Sequence, residues 1–331
     1  MHLGRTPAVR DAIRPAGRAH RRPSGKALRR VLVLVGATVG LVTLALVGVV
    51  GWIGSERAIH PAPQVEKHHL ADYAFAATTE MVRFPSQDGT PLVGWFVPGG
   101  TAPAATVILL HGFGASRAQL LPHAAYLHRA GYNVLLFDFR NRGESGGDAV
   151  TMGVREPLDV RGAVRYALSR PDVDPARIAV QGIGLGAVAG IIAMGEEPRI
   201  AAVVAEGAFT DLDAAIDSMF HAYIGLPSFP FAPVTVFIVE RRLGAQTSAV
   251  RPIDVIGRIG ARAAFLIDAR EDAENPPDSG RRLYDAASGP RELWITDNSG
   301  HAVGYDPHPE EYAARVLAFY AAHLRGGTPP R

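Results

Sequence analysis

The sequence predicts an α/β protein: a mostly parallel sheet with helices on both faces, preceded by one N-terminal transmembrane helix. Three observations carry that expectation. Residues 31–53 form an uncharged apolar run of 23 residues. Behind it, β-branched runs of strand length alternate with stretches of helical periodicity, the sequence mark of βαβ units. Gly-rich turns fall directly after several of those runs, at the strand ends where open α/β sheets place their ligands.

The apolar run Val31–Ile53 reads as an uncleaved signal anchor. About 20 apolar residues cross the hydrocarbon core as a helix, and a cleavable signal carries a shorter apolar region of about 7–15 residues with a small-residue cleavage site after it. Nine basic residues and Asp11 precede the run, whereas Glu56, Arg57, Glu66 and Lys67 behind it sum to zero. The positive-inside rule then leaves residues 1–30 as a basic cytoplasmic tail and the main domain extracytoplasmic, on a single-pass cell-membrane protein. Gly36 and Gly40 make a G-x-x-x-G pair that a segment so rich in Gly and Val supplies by chance.

Charge sharpens this division. Of 34 basic and 32 acidic residues, nine and one lie in 1–30, which leaves 25 and 31 elsewhere, a net of −6. A nucleic-acid-binding body is disfavoured, because it needs a basic face. The chain has no Cys, which excludes a disulfide framework, a Cys-ligated zinc and a thiol nucleophile. No cofactor or metal site is predicted.

Residues 54–77 read as a linker around His60-Pro61-Ala62-Pro63, and residues 78–325 as the folded domain. Two strands, Thr79–Phe84 and Pro91–Val97, flank the hairpin signal Asp88-Gly89. Strands follow at Ala105–Leu110, Asn133–Asp138, Arg177–Gln181 and Ala201–Ala205, separated by helices at Ser116–Arg129, Glu156–Ser169 and Ala187–Met194. Residues 211–258 break the rhythm with Phe220, Tyr223, Phe229, Phe231 and Phe237 among prolines, and read as a cap insertion. Strands at Ala264–Asp268 and Glu292–Thr296 and helices near Asp278–Ala287 and Pro309–Leu324 complete the domain, before a flexible tail at 326–331.

Strand Ala105–Leu110 runs into His111-Gly112-Phe113-Gly114, the next strand into Asp138-Phe139-Arg140-Asn141-Arg142-Gly143-Glu144-Ser145, and the third into Gly182-Ile183-Gly184-Leu185-Gly186. Asp272 and Gly300-His301 follow the last two strands. In this order the motifs resemble the α/β-hydrolase superfamily over about Thr79–Leu324, nearest to membrane-anchored bacterial serine-hydrolase-like members of the S9/S33 type. The resemblance implies an eight-stranded sheet with a small cap and an ancestry in ester or amide hydrolysis. It also implies that His301 is the base, Asp272 its orienting acid, and the backbone N–H groups of Phe113 and Leu185 the oxyanion hole. Asp268 and Glu271 are rivals for the acid.

The departure from the family pattern is at the elbow. The pattern G-x-S-x-G places the nucleophile at its centre, and here the centre is Gly184, the nucleophile position without a side chain. Between Arg170 and Asp217 the only hydroxyl is on Thr210. Gly143-Glu144-Ser145-Gly146-Gly147 also matches the pattern, but it lies in a loop that opens no helix after Ser145, so Ser145 reads as structural. His111 reads as a structural hydrogen-bonding residue. Asp138, Arg142, Glu156 and Asp159 read as ties between the loop after the second parallel strand and its helix rather than as metal ligands.

Three functions are compatible with this. The first is a weakly active or inactive pseudoenzyme that holds a small carbonyl ligand. The second is a hydrolase that activates water through His301 and Asp272, or uses a displaced hydroxyl such as that of Ser116. The third is a non-catalytic scaffold of the cell envelope.

Overall fold

A computed structural model describes residues 25–100, 103–301 and 304–324. The expected basic tail, for the most part, and the flexible tail at 326–331 lie outside the described residues. The chain divides into two units, Met1–Leu46 and Val47–Arg331. Helix α1 runs unbroken over Gly25–Ile59, and its stretch Leu28–Ile59 is long and apolar enough to cross a membrane, with a mean hydropathy of 2.5. A Cβ added to Gly36 or Gly40 would meet nothing within 4 Å.

The second unit is built on an eight-stranded sheet in the order β1-β2-β4-β3-β5-β6-β7-β8. The strands are β1 (Glu80–Pro85), β2 (Pro91–Val97), β3 (Ala104–Leu110), β4 (Asn133–Phe137), β5 (Val173–Ile183), β6 (Ile200–Glu206), β7 (Ala263–Glu271) and β8 (Arg291–Ser299). The expected hairpin forms at Asp88-Gly89, where Gly89 takes a φ of 91° that suits glycine. It pairs β1 with β2 antiparallel, β2 with β4 antiparallel, and every later pair is parallel.

Helices α2 (Leu121–Arg129), α3 (Glu156–Leu168), α4 (Leu185–Glu196), α5 (Leu212–Ile224), α6 (Ser228–Leu243), α7 (Pro252–Ile256), α8 (Ser279–Ala286) and α9 (Pro309–His323) connect or cover the strands. Alternation decides which face each side chain serves. Ile108, Leu110 and Val180 enter one apolar layer with Val164 of α3 and Val188 of α4. Val107, Leu109 and Ala179 enter the opposite layer with Leu127 of α2 and Phe319 of α9. Burying each such Leu, Ile or Val stabilises the fold by roughly 1.5–3 kcal/mol. This is the α/β-hydrolase fold expected from the sequence.

Two details differ from the sequence reading. The helix expected from Ser116 begins as a short 3₁₀ turn, Arg117–Leu120, with the Ser116 hydroxyl capping Ala118 N. Helix α1 continues past the apolar run, so the first residues of the expected linker are helical. Small residues explain the continuation. Gly51 and Gly54 let α1 lie against Val234 and Thr235 of α6, where a Cβ on either glycine would meet those side chains at 2.7 and 3.0 Å. Arg242 then fastens the end of α1, bonding Ser55 Oγ at 3.2 Å and Glu56 at 2.8 Å and stacking over Trp52.

Candidate active site

Strand β5 delivers Gly184 to the start of α4 with φ +52° and ψ −115°, a conformation that only glycine adopts without strain. Its N–H donates to Glu206 O at 2.8 Å. The flanking glycines answer to packing. A Cβ on Gly182 would strike the backbone of Gly186 and Ala187, and one on Gly186 would strike the backbone of Leu110 and His111.

Asp272 follows β7 and His301 follows β8, and the structure brings both to Gly184. Asp272 Oδ2 lies 2.8 Å from His301 Nδ1, leaving Nε2 directed at the elbow: a Cβ on residue 184 would sit 2.8 Å from that atom. The Asp272 carboxylate also accepts from Glu274 N, Asn275 N and Asn275 Nδ2 at 2.8, 3.2 and 2.9 Å. Burial raises the Asp272 pKa, but the His301 bond and these N–H donors outweigh it and hold the carboxyl below its ordinary value. Burial opposes charge on His301, yet the bond to Asp272 and the nearby carboxylates of Asp272, Glu274 and Glu206 raise its pKa overall. Of the two rivals for the acid, Asp268 accepts from Gly280 N at 2.8 Å, and Glu271 is exposed, its backbone carbonyl accepting from Gly300 N at 2.9 Å.

The loop after β3 is tightly held. His111 Nε2 accepts from Phe139 N at 3.0 Å and its Nδ1 bonds Gly112 O at 2.8 Å. Burial pushes its pKa down to about 4, so the imidazole is neutral and structural. Gln119 accepts from Gly112 N at 2.8 Å. Phe113 lies in this loop and Leu185 opens α4.

Of the charged residues expected to tie the loop after β4 to α3, Glu156 and Asp159 do so, whereas Arg142 and Asp138 make their bonds away from that helix. Arg142 donates to the carbonyls of Pro61, Gly114 and Ala115. Asp138 accepts from Arg117 and from Glu144 N. Glu156 accepts from Thr151 N and Gly153 N, and Asp159 pairs with Arg140. No cluster of His and acidic side chains among the described residues could hold a metal ion. Ser145 donates to Asp138 O at 2.6 Å and accepts from Val93 N at 2.9 Å, so its hydroxyl fastens its loop to β2. Ser116 is bonded to Glu66, and Thr210 is fully buried and donates to Asp211.

Four residues of the site escaped the sequence reading. Glu206, at the end of β6, accepts from Gly304 N at 2.6 Å and from Tyr312 Oη at 2.8 Å, and so anchors the turn that follows His301. Its place at the carboxyl end of a parallel strand was a usable signal. Asn275 steadies Asp272 and also donates to Gly207 O at 2.9 Å. Glu274 brings a carboxylate oxygen to 3.9 Å from His301 Nε2. Gln64, in the segment after α1, donates from its backbone to Gly114 O at 3.1 Å and from its side chain to Phe113 O at 2.9 Å.

Known proteins share this architecture. A Bacillus subtilis protein, YqkD, is 29% identical over 237 residues, covering 71% of this chain and 77% of its own length. Rv2307c of Mycobacterium tuberculosis is 29% identical over 267 residues, covering 80% and 86%. Both are described as uncharacterized. Among solved structures, the Pyrococcus furiosus esterase Pf2001 superposes with a TM-score of 0.68 at 27% identity, over 81% of this chain and 99% of that one. The family model for the prolyl oligopeptidases matches residues 119–327, the span that holds the elbow, Asp272 and His301. With its sheet and that match in agreement, the chain belongs to the prolyl oligopeptidase family.

Proposed function

We propose that this chain is a membrane-anchored, extracytoplasmic protein of hydrolase ancestry that binds a carbonyl ligand and has lost covalent acyl transfer, leaving it weakly active or inactive. The observation that carries the reading is the 2.8 Å between His301 Nε2 and the Cβ position of residue 184. The imidazole stands where a nucleophile's side chain would begin, and there is no hydroxyl for it to deprotonate. The ligand's carbonyl oxygen would be held by the N–H groups of Phe113 and Leu185, which need no side chain at 184. Without a nucleophile, such a site retains about 10³–10⁴ over water from donors and binding alone. The nine basic residues before α1 and the length of its apolar stretch support the anchor and its orientation.

One observation favours a second reading. The Glu274 carboxylate, 3.9 Å from His301 Nε2, puts a second acceptor beside the atom that would activate a water. There His301 would take a proton as the water attacks a bound ester.

A fluorophosphonate probe tests the main reading, because it reports an activated nucleophile. The wild-type protein is expected to remain unlabelled and to hydrolyse a short-chain ester slowly or not at all. Robust labelling of the wild type overturns the loss of the nucleophile. Ester turnover without labelling, abolished in His301→Ala, selects the water reading.

A further inference from the structure

Beside the site lies an apolar cavity of about 550 Å³, within the range of ~300–1,000 Å³ that holds small-molecule ligands. Phe113, in the loop after β3, is among its lining residues, together with Ile216 and Met219 of α5, Val239 of α6, and Arg57 and Ala58 of α1. The α1 part of that lining belongs to the last turns of the membrane-compatible stretch Leu28–Ile59. A helix of 35 residues is roughly 50 Å long against a hydrocarbon core of roughly 30 Å, so its final turns lie near the interface. The side chains there have interfacial character. Trp52 is exposed and amphipathic, and Arg57 is exposed with no ion pair among the described residues. Arg57 thus combines an aliphatic stem against apolar surface with a charged head in water. On the adjoining cap, Phe229 and Phe237 are 78% and 57% exposed, an apolar surface that water penalises and a bilayer does not.

We propose that the cavity receives the acyl chain of a bilayer lipid ester, which enters beside the end of α1 and places its ester carbonyl at Phe113. This deepens the carbonyl-binding function above and rests on it and on the anchor. Continuity selects the lipid over a water-borne ligand, because the last turns of the membrane-compatible helix themselves line the cavity.

The test uses the full chain in nanodiscs that contain phosphatidylcholine with a diazirine in one acyl chain. Irradiation is expected to label peptides bearing Ile216, Met219 or Val239. Filling the cavity with Ile216→Trp should reduce that labelling about tenfold, the equivalent of ~1.4 kcal/mol. Ala58→Trp, in the α1 part of the lining, serves in its place if the first variant does not fold by thermal melting. Labelling confined to residues 31–53, or unchanged in the folded variant, overturns the proposal. So does loss of labelling on adding stoichiometric myristate, which would assign the cavity to a soluble carboxylate. Crosslinking needs no chemistry at residue 184, so fluorophosphonate labelling of the wild type would remove the nucleophile-loss reading and leave this result standing.

Discussion

Gly184 and His301 share one small volume: the imidazole Nε2 stands 2.8 Å from where a Cβ on residue 184 would lie. The obstacle is the tip of a side chain, so it can yield by a small ring rotation. In Gly184→Ser the new side chain meets that ring and a backbone at φ +52°. Such a conformation costs a non-glycine residue about 1–3 kcal/mol. Gly184→Ser and Gly184→Ala are therefore expected to fold and to lose comparable stability in urea denaturation. Only the serine variant should gain labelling by a fluorophosphonate. A folded serine variant that stays unlabelled would show that Asp272, His301 and the two backbone donors are not poised for catalysis.

The Asp272–His301 pair sets a pH window for stability. Asp272 is held below its ordinary value, so its contribution is present above an unfolded pKa of about 3.9 and is lost as pH falls through the folded value. His301 is raised, so its contribution is complete below an unfolded pKa of about 6.5 and is lost as pH rises through its folded value. The difference in melting temperature between wild type and Asp272→Asn should therefore be greatest between about pH 4 and 6.5 and shrink on either side. A difference that is flat from pH 3 to 9 would contradict this, whatever its size.

Glu206 should matter more than a buried acid with no catalytic role usually does. Its carboxylate accepts from Gly304 N and Tyr312 Oη, and burial raises its pKa above the ordinary value. Glu206→Ala strands two buried donors, at about 1–3 kcal/mol each. Glu206→Gln, which keeps a carbonyl acceptor, should recover part of that loss in the same chemical melt. The alanine variant should also change the His301 ring signals in NMR, because the turn after His301 loses its anchor. Unchanged signals would make Glu206 a packing residue only.

The absence of cysteine makes the proposed topology directly measurable. Met81→Cys introduces one thiol at a side chain that is half exposed on β1, and Ala8→Cys introduces one in the basic N-terminal segment. In intact cells a membrane-impermeant maleimide is expected to label the first and not the second. The reverse pattern would invert the orientation. Loss of the chain from carbonate-washed membranes would remove the anchor altogether.

Much of this fold was legible because its signals are local. The β-branched runs, the Asp88-Gly89 turn and the glycines at strand ends each act over a few residues. Gly184, Asp272 and His301 could be singled out because the order of the motifs after the expected strands resembles that of the α/β-hydrolase superfamily. What escaped depends on contacts between residues far apart in the chain. The docking of α1 on the cap joins Gly51 and Gly54 to Val234 and Thr235, and no periodicity in either segment announces it. The polar sequence Ser55-Glu56-Arg57 reads as the exit from a helix, whereas Arg242 holds two of those residues in helical form. Glu206 falls one residue beyond the expected strand Ala201–Ala205, and only the fold brings Gly304 and Tyr312 to it.

The glycines that flank the elbow carry a further consequence. Gly182 and Gly186 are required by the close approach of α4 to β5 and β3, whether or not a nucleophile stands between them. The sharp turn is thus maintained by the needs of the core, whatever residue stands at its centre. A change at 184 leaves that frame in place and is opposed only by the His301 ring and by the cost of a side chain at a φ of +52°.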